Sequence, residues 1–303
     1  MGYIPKYYTL KTLISSNKNG QVWIATKKDK NTLYIIKLIN ESLYRNEYRV
    51  LKRVTKINDP HLIHLRDIIL PKYTYSHISN IDFNPETKFV GLVFPCYKMN
   101  LLNYVSNIKN ISNHQCYYLF QELALGVSLL HSNRIAHLDL KLENVVLDDN
   151  NMPIIIDFGF AAADVVSHTS FCGSYSYVAP EVIKNIPYNP YKADIWSLGV
   201  LFYAIICQTF PFNIDSFESV MPSSPETKIS FLFDRICKQQ IVYPDYLPLS
   251  AKNLLSAMLD RNPSTRYDIN QVLADPLFRY KWHPVKNLPK YNLNKLRLSS
   301  NTI

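Results

Sequence analysis

The sequence predicts an α+β fold, a strand-rich first third followed by a mainly helical remainder, from three observations. Short apolar runs separated by turn residues fill residues 7–40. From about residue 100 the apolar spacing changes to the i, i+3, i+4 rhythm of helices. Ala193 to Cys207 is apolar nearly all round, as a helix at the centre of a folded unit would be.

Tyr8 to Leu10, Val22 to Ala25 and Leu33 to Leu38 read as strands. A turn centred on Gly20 and a polar loop from Lys27 to Asn31 divide them, the layout of antiparallel hairpins. Glu41 to Val54 carries Leu43, Tyr48, Leu51 and Val54 at helical spacing, with Lys and Arg toward its end. Strand-like sequence resumes at Leu62 to Leu70 and Phe89 to Phe94, around a polar insertion from Lys72 to Lys88. Ser112 with Gln115 forms a capping box that opens a helix whose apolar face is Cys116, Leu119, Phe120, Leu123, Val127 and Leu130. Asn144 to Ile156 reads as a hairpin turning at Asp148 to Asn151. Asn213 to Lys228, polar and containing Met221-Pro222-Ser223-Ser224-Pro225, reads as a surface insertion. Residues 284–303 lack periodicity and read as a surface tail, and no internal repeat is present.

A chain of 303 residues, 47% hydrophobic, can bury the core of one large domain or of two packed lobes. The longest apolar run, Leu198 to Cys207, is half the roughly 20 residues of a membrane helix and contains Tyr203. The N-terminal MGYIPKYY lacks the basic region of a signal peptide, and Lys6 stands where a myristoylation signal needs Ser or Thr. An intracellular protein is expected, cytoplasmic or nuclear, with no membrane partner. Five scattered cysteines form no CxxC pair, which suits a reducing compartment and argues against a zinc site. The net charge is +9 with a pI near 9.1, but the basic residues form no Arg-rich block, so nucleic acid is not the expected ligand.

Phosphoryl transfer needs an acceptor hydroxyl held in line, metal ions on the phosphates and cations on the transferring group. Residues 137–159 bring such parts together. His137-Leu138-Asp139-Leu140-Lys141-Leu142-Glu143-Asn144 places a carboxylate, an ammonium and an amide on one loop, and Asp157-Phe158-Gly159 follows the apolar Ile154 to Ile156. In order and separation these segments resemble the HRDLKxxN catalytic loop and DFG motif of the protein kinases. The resemblance implies a two-lobed fold: a β-sheet N-lobe with one main helix at about 8–95, a larger helical C-lobe at 98–280, and a tail at 281–303. It implies that Asp139 takes the substrate hydroxyl proton, Lys141 contacts the γ-phosphate, and Asn144 and Asp157 hold Mg²⁺ or Mn²⁺ beside ATP. Ala179-Pro180-Glu181 resembles the APE motif, with Arg266 as the ion-pair partner of Glu181. Asp194 is similar to the family's buried Asp that holds the catalytic loop through backbone N–H groups. Lys37, ending an apolar strand like the VAIK lysine, would pair with Glu47 and reach the α- and β-phosphates. Ile14, Ser15, Asn17, Gly20, Val22, Ile35, Phe94, Cys96 and Val146 fall where the family lines its nucleotide site.

Departures from the family pattern carry expectations of their own. Ile14-Ser15-Ser16-Asn17-Lys18-Asn19-Gly20-Gln21-Val22 keeps only the last of the three glycines of the Gly-rich loop, which predicts a looser phosphate clamp; Asn tolerates the φ > 0 that glycine supplies. Ile35 stands in place of the usual Ala and narrows the pocket. The short separation of Lys37 and Glu47 requires the helix to begin directly after the strand, with Glu41 as an alternative partner. Leu138 replaces the Arg that binds a phosphate on the activation segment, so Ser167, Thr169 and Ser170 are not expected to be obligatory activating sites. Lys141 and Gly173-Ser174-Tyr175-Ser176-Tyr177 resemble serine/threonine kinases, with Phe160 pointing to serine and Glu143 to a basic substrate motif. The expected reading is a monomeric Ser/Thr kinase acting on proteins. Its chief rival is a pseudokinase scaffold, argued against by the presence of Lys37, Asp139, Lys141, Asn144 and Asp157. A small-molecule phosphotransferase would not be expected to show the Glu181 and Arg266 motifs.

Overall fold

A computed structural model describes residues 3–4, 8–27, 32–70, 88–108, 111–212 and 224–284. Most of the polar insertion, residues 213–223 and nearly all of the tail lie outside the described residues. The described residues fall into two compact units, one ending at Lys98 and the other beginning at Met99.

The first unit is an antiparallel sheet with one helix. Strands β1 (Tyr3–Ile4), β2 (Tyr8–Asn17), β3 (Gly20–Lys27), β4 (Leu33–Asn40), β5 (Asp67–Ile69) and β6 (Phe89–Pro95) lie in the order β1-β2-β3-β4-β6-β5. Alternation along β4 sorts its side chains to two faces. Ile36 and Leu38 point into a core with Tyr8, Leu10, Ala25, Ile69, Phe89 and Val93. Ile35 and Lys37 stand on the opposite face.

Helix α1 spans Tyr44–Ile57, three residues later at each end than the spacing predicts. Asn40 causes the delay: its side chain accepts from the Ser42 N–H at 3.0 Å and the Ser42 hydroxyl at 2.9 Å, holding a turn before the helix. The buried face of α1 is Glu47, Val50, Leu51 and Val54. β5 is shorter than the predicted Leu62 to Leu70 strand. Side chains take up local amides ahead of it, with Thr55 accepting from Leu65 N–H at 3.1 Å and Asp59 from His61 N–H at 3.0 Å.

The second unit is mainly helical. Its described elements are β7 (Met99–Asn100), α2 (Leu101–Asn107), α3 (Asn113–Ser132), β8 (Ile135–Ala136), β9 (Val145–Leu147), β10 (Pro153–Ile155), β11 (Ala162–Ala163), α4 (Pro180–Ile183), α5 (Pro190–Cys207), α6 (Pro225–Lys238), α7 (Leu249–Met258) and α8 (Ile269–Leu273). The Ser112 hydroxyl accepts from Gln115 N–H at 3.2 Å and starts α3, whose six predicted apolar-face residues are all buried. Helix α5 is buried along most of its length, and its Phe202 stacks on Phe120 of α3 at 3.9 Å. Ser224 to Lys228, read as part of a surface insertion, instead open α6. Pro225 occupies the first turn, and the Ser224 hydroxyl accepts from Thr227 N–H at 3.3 Å. Serine followed by proline is helix-start chemistry as much as loop chemistry. Trp282, read as part of the tail, donates its backbone N–H to Gln121 Oε1 of α3 at 3.1 Å and packs on Tyr117. No helix among the described residues is long and apolar enough to cross a membrane.

A buried ion pair ties α4 to the segment before α8. Arg266, fully buried, donates to both carboxylate oxygens of Glu181 at 2.6 and 2.9 Å. It also donates to the carbonyls of Asp260 and Lys192, both at 2.8 Å, and stacks over Trp196 at 5.1 Å. Four of the five guanidinium N–H groups thereby find a charged or carbonyl acceptor. Arg266→Ala leaves Glu181 buried and alone, and we expect roughly 3–5 kcal/mol of destabilisation in chemical denaturation.

Candidate active site

In the first unit, antiparallel partners share a face, and the register fixes who stands beside Lys37. Val22 and Leu92 oppose Lys37, while Ile24 and Phe94 oppose Ile35. Val22, Ile35, Lys37 and Phe94, named from sequence one by one, are thus gathered on one face of the sheet. Lys37 Nζ donates to Glu47 Oε1 at 2.8 Å, with the Glu47 side chain 7% exposed. The pairing settles the choice between carboxylates: Glu41 stands in the turn ahead of α1, its N–H donating to the Lys88 carbonyl. Cys96 follows the end of β6.

The turn between β2 and β3 is held by a side chain of its own. Ser15 and Asn17 both keep negative φ, so neither needs the freedom of glycine. Asn17 Oδ1 accepts from the N–H groups of Asn19 at 2.9 Å and Gly20 at 3.1 Å. Gly20 is required for a different reason, since a Cβ there would collide with the Leu38 carbonyl oxygen.

In the second unit, Asp194 at the start of α5 organises the 137–144 loop. Its Oδ2 accepts from His137 N–H and its Oδ1 from Leu138 N–H, both at 2.8 Å, and His131 Nε2 lies 3.0 Å from Oδ2. His137 Nδ1 accepts from Asp139 N–H at 3.2 Å, which leaves Nε2–H to donate to the Ile156 carbonyl at 2.9 Å. Leu138 adopts φ 62° and Asp157 φ 62°. Left-handed backbone costs a non-glycine residue about 1–2 kcal/mol, and such strain gathers where the surroundings enforce it.

Three polar side chains converge on the Asp139 carboxylate. Its Oδ1 accepts from the Ser174 hydroxyl at 3.0 Å, and its Oδ2 accepts from Asn144 Nδ2 at 2.9 Å and lies 3.1 Å from Lys141 Nζ. Lys141 also donates to Ser174 at 2.8 Å. The β9–β10 hairpin brings Asp157 to the same loop, because Ile156 N–H donates to the Asn144 carbonyl at 2.9 Å. Val146, on β9, pairs with Ile154 and Asn100. Asn144 commits its amide nitrogen to Asp139, which turns its Oδ1 away as an acceptor. With the Asp157 carboxylate this makes two hard oxygen donors, a set that suits Mg²⁺ or Mn²⁺ completed by water and phosphate oxygens. Among the described residues no three His, Cys, Asp or Glu side chains form a metal cluster. Burial pushes the Cys116 thiol up to about 12 and Cys207 to about 11, so both stay protonated at neutral pH.

The segment from Asp157 to Glu181 is pinned along its length. β11 pairs with β8, and His168 and Tyr188 exchange backbone hydrogen bonds at 2.8 and 2.9 Å. The Tyr188 hydroxyl donates to the Ser170 carbonyl at 2.9 Å. Phe171 and Tyr175 pack against Phe233 of α6 at 5.9 and 5.7 Å. Gly173 has φ 100°, and a Cβ there would stand 2.9 Å from the Leu138 carbonyl oxygen, so only glycine lets the segment lie against the loop. Leu138 is buried at 6% exposure, and Phe160 is exposed.

A Lys–Glu pair on a sheet unit, and an Asp–Lys–Asn loop followed by Asp-Phe-Gly on a helical one, define the class of phosphoryl-transfer folds. The family model described as "Protein kinase domain" matches residues 8–278, and the chain belongs to that family. Over 292 residues it is 30% identical to CBL-interacting serine/threonine-protein kinase 1 of Arabidopsis thaliana, covering 91% of this chain and 59% of that protein. It is 38% identical over 171 residues to CBL-interacting protein kinase 31 of Oryza sativa subsp. japonica, covering 54% of this chain and 35% of the relative. With SNF1-related protein kinase catalytic subunit alpha KIN12 of Arabidopsis thaliana it shares 29% identity over 283 residues, covering 91% of this chain and 52% of the other. The chain thus spans between about a third and three fifths of the length of these relatives.

Sequence reasoning missed Ser174 as a partner of both Asp139 and Lys141, and His131 as a third partner of Asp194. A polar residue directly after Gly173 was the only available signal for the first; nothing local marks the second. Asp194→Ala leaves the His137 and Leu138 amides buried without acceptors. We expect a loss of roughly 2–5 kcal/mol in denaturation and faster hydrogen exchange at these two amides.

Proposed function

We propose that the chain transfers the γ-phosphoryl group of ATP to serine or threonine hydroxyls of proteins, with Mg²⁺ or Mn²⁺ accompanying the nucleotide. The observation that carries this reading is Asp139, 6% exposed and oriented by Ser174 and Asn144. A carboxylate so held takes the proton of the acceptor hydroxyl as its oxygen bonds to the γ-phosphorus and the bond from that phosphorus to the ADP oxygen breaks. Lys141 offsets negative charge on the transferring group. Lys37, aimed by Glu47, contacts the α- and β-phosphates. Asn144 and Asp157 hold the cation, which when bound neutralises phosphate charge. The nucleotide is assigned to Val22, Ile35, Phe94, Cys96 and Val146 together with the Ile14 to Gly20 turn. Protein hydroxyls as acceptors are supported by relatives named as serine/threonine-protein kinases.

The same reading includes an activation segment that works without phosphate. Leu138, buried where the family keeps a phosphate-binding Arg, offers no cation for one. The contacts of Tyr188 with Ser170, of Phe233 with Phe171 and Tyr175, and of Ser174 with Asp139 hold the segment instead. We assign the protein to the cell interior, cytoplasmic or nuclear, because its free thiols suit a reducing compartment and its proposed substrate is ATP.

Two variants test the reading by incorporation of labelled phosphate into a generic protein acceptor. Asp139→Asn is expected to lose about 10²–10⁴ in rate, the usual worth of a positioned base. The triple variant Ser167→Ala, Thr169→Ala, Ser170→Ala is expected to retain activity within about twofold, an effect under one hydrogen bond. Equal labelling by wild type and Asp139→Asn would remove the catalytic reading, and an inactive but folded triple variant would remove the phosphate-free one.

A further inference from the structure

In the β2–β3 turn two backbone N–H groups converge on a side-chain oxygen of the chain itself. The N–H groups of Asn19 and Gly20 converge on Asn17 Oδ1 at 2.9 and 3.1 Å. Successive backbone N–H groups converging on one oxygen form the arrangement in which turns hold phosphate oxygens. The surrounding hairpin is braced for this geometry. Buried Gln21 donates to the Ser16 hydroxyl at 3.3 Å and accepts from the Trp23 indole N–H at 2.8 Å, and Gly20 lies against the Leu38 carbonyl.

Asn17 is not retained for backbone reasons, because its φ is negative and any residue could adopt it. Its carboxamide is the part the structure uses. We propose that Asn17 is an internal stand-in for a nucleotide phosphate, so that ATP binding requires its carboxamide oxygen to yield both amides to a phosphate oxygen. This inference rests on the ATP reading above and deepens it. A charged oxygen makes the stronger hydrogen bonds, so ATP displaces the carboxamide. The affinity that remains is reduced by the bonds given up, whereas a ligand without phosphates does not meet the competition. Asn17 therefore sets the discrimination between ATP and its nucleoside.

Calorimetric titration of wild type, Asn17→Gly and Asn17→Asp with Mg-ATP, sodium tripolyphosphate and adenosine separates the possibilities. Asn17→Gly removes the competitor and is expected to tighten ATP about fivefold, the net worth of one ordinary hydrogen bond. Asn17→Asp supplies a charged competitor and is expected to weaken ATP by about tenfold or more, in line with the greater strength of charge-assisted bonds. Tripolyphosphate should follow the same order, and adenosine should bind all three alike. Glycine also loosens the turn, which works against the gain, so the sign of its effect is decisive. An ATP affinity unchanged or weakened in Asn17→Gly overturns the proposal. So does adenosine shifting in parallel with ATP, the mark of a purely structural residue. Wild type that binds adenosine but neither ATP nor tripolyphosphate overturns the kinase reading itself, and this inference with it.

Discussion

The geometry of the catalytic loop depends on one buried carboxylate. Asp194 accepts from two consecutive backbone amides, His137 and Leu138, and by doing so enforces a left-handed leucine that the chain would otherwise avoid. From that corner the rest follows: Asp139 N–H is fixed by the His137 ring, the ring by the Ile156 carbonyl, and Ile156 by Asn144. A carboxylate at the start of an apolar helix is costly in isolation and acceptable here because each of its oxygens accepts a backbone hydrogen bond. The folding energy of α5 is thereby converted into the position of Asp139.

A second constraint concerns order in the activation segment. A phosphate with a matching Arg is one way to hold such a segment, through a few strong charge-assisted bonds. In this chain the segment makes many weaker contacts: a backbone bridge from His168 to Tyr188, an aromatic cluster with Phe233, and a close approach to Leu138 that Gly173 allows. Leu138 fits that solution. An arginine with no phosphate partner would be an unpaired cation at a site only 6% exposed, whereas leucine buries at no such cost.

The chemistry was legible because its residues are close in sequence: Asp139, Lys141, Asn144 and Asp157 lie within one loop and the hairpin beside it. The strands were legible by alternation, and α3 and α5 by long apolar patterns. What escaped was decided by side chains reaching backbone. Asn40 delays α1, Ser224 and Pro225 turn an expected loop into a helix start, and Asn17, expected to substitute for glycine's conformational freedom, instead ligates its own turn. The contacts of Ser174 and His131 escaped because they join residues 35 and 63 positions apart, a separation no local pattern reports. The choice of Glu47 over Glu41 also needed coordinates, since both are acidic, nearby and plausible until the turn is placed.

The central claim is that this arrangement moves a phosphoryl group from ATP to a protein hydroxyl. Mass spectrometry of a generic protein acceptor incubated with Mg²⁺, ATP and the purified chain tests it most directly, with the Asp157→Ala protein run in parallel. The account predicts phosphate on serine and threonine side chains with wild type and essentially none with the variant. An unmodified acceptor, or the same modification from both proteins, would contradict it.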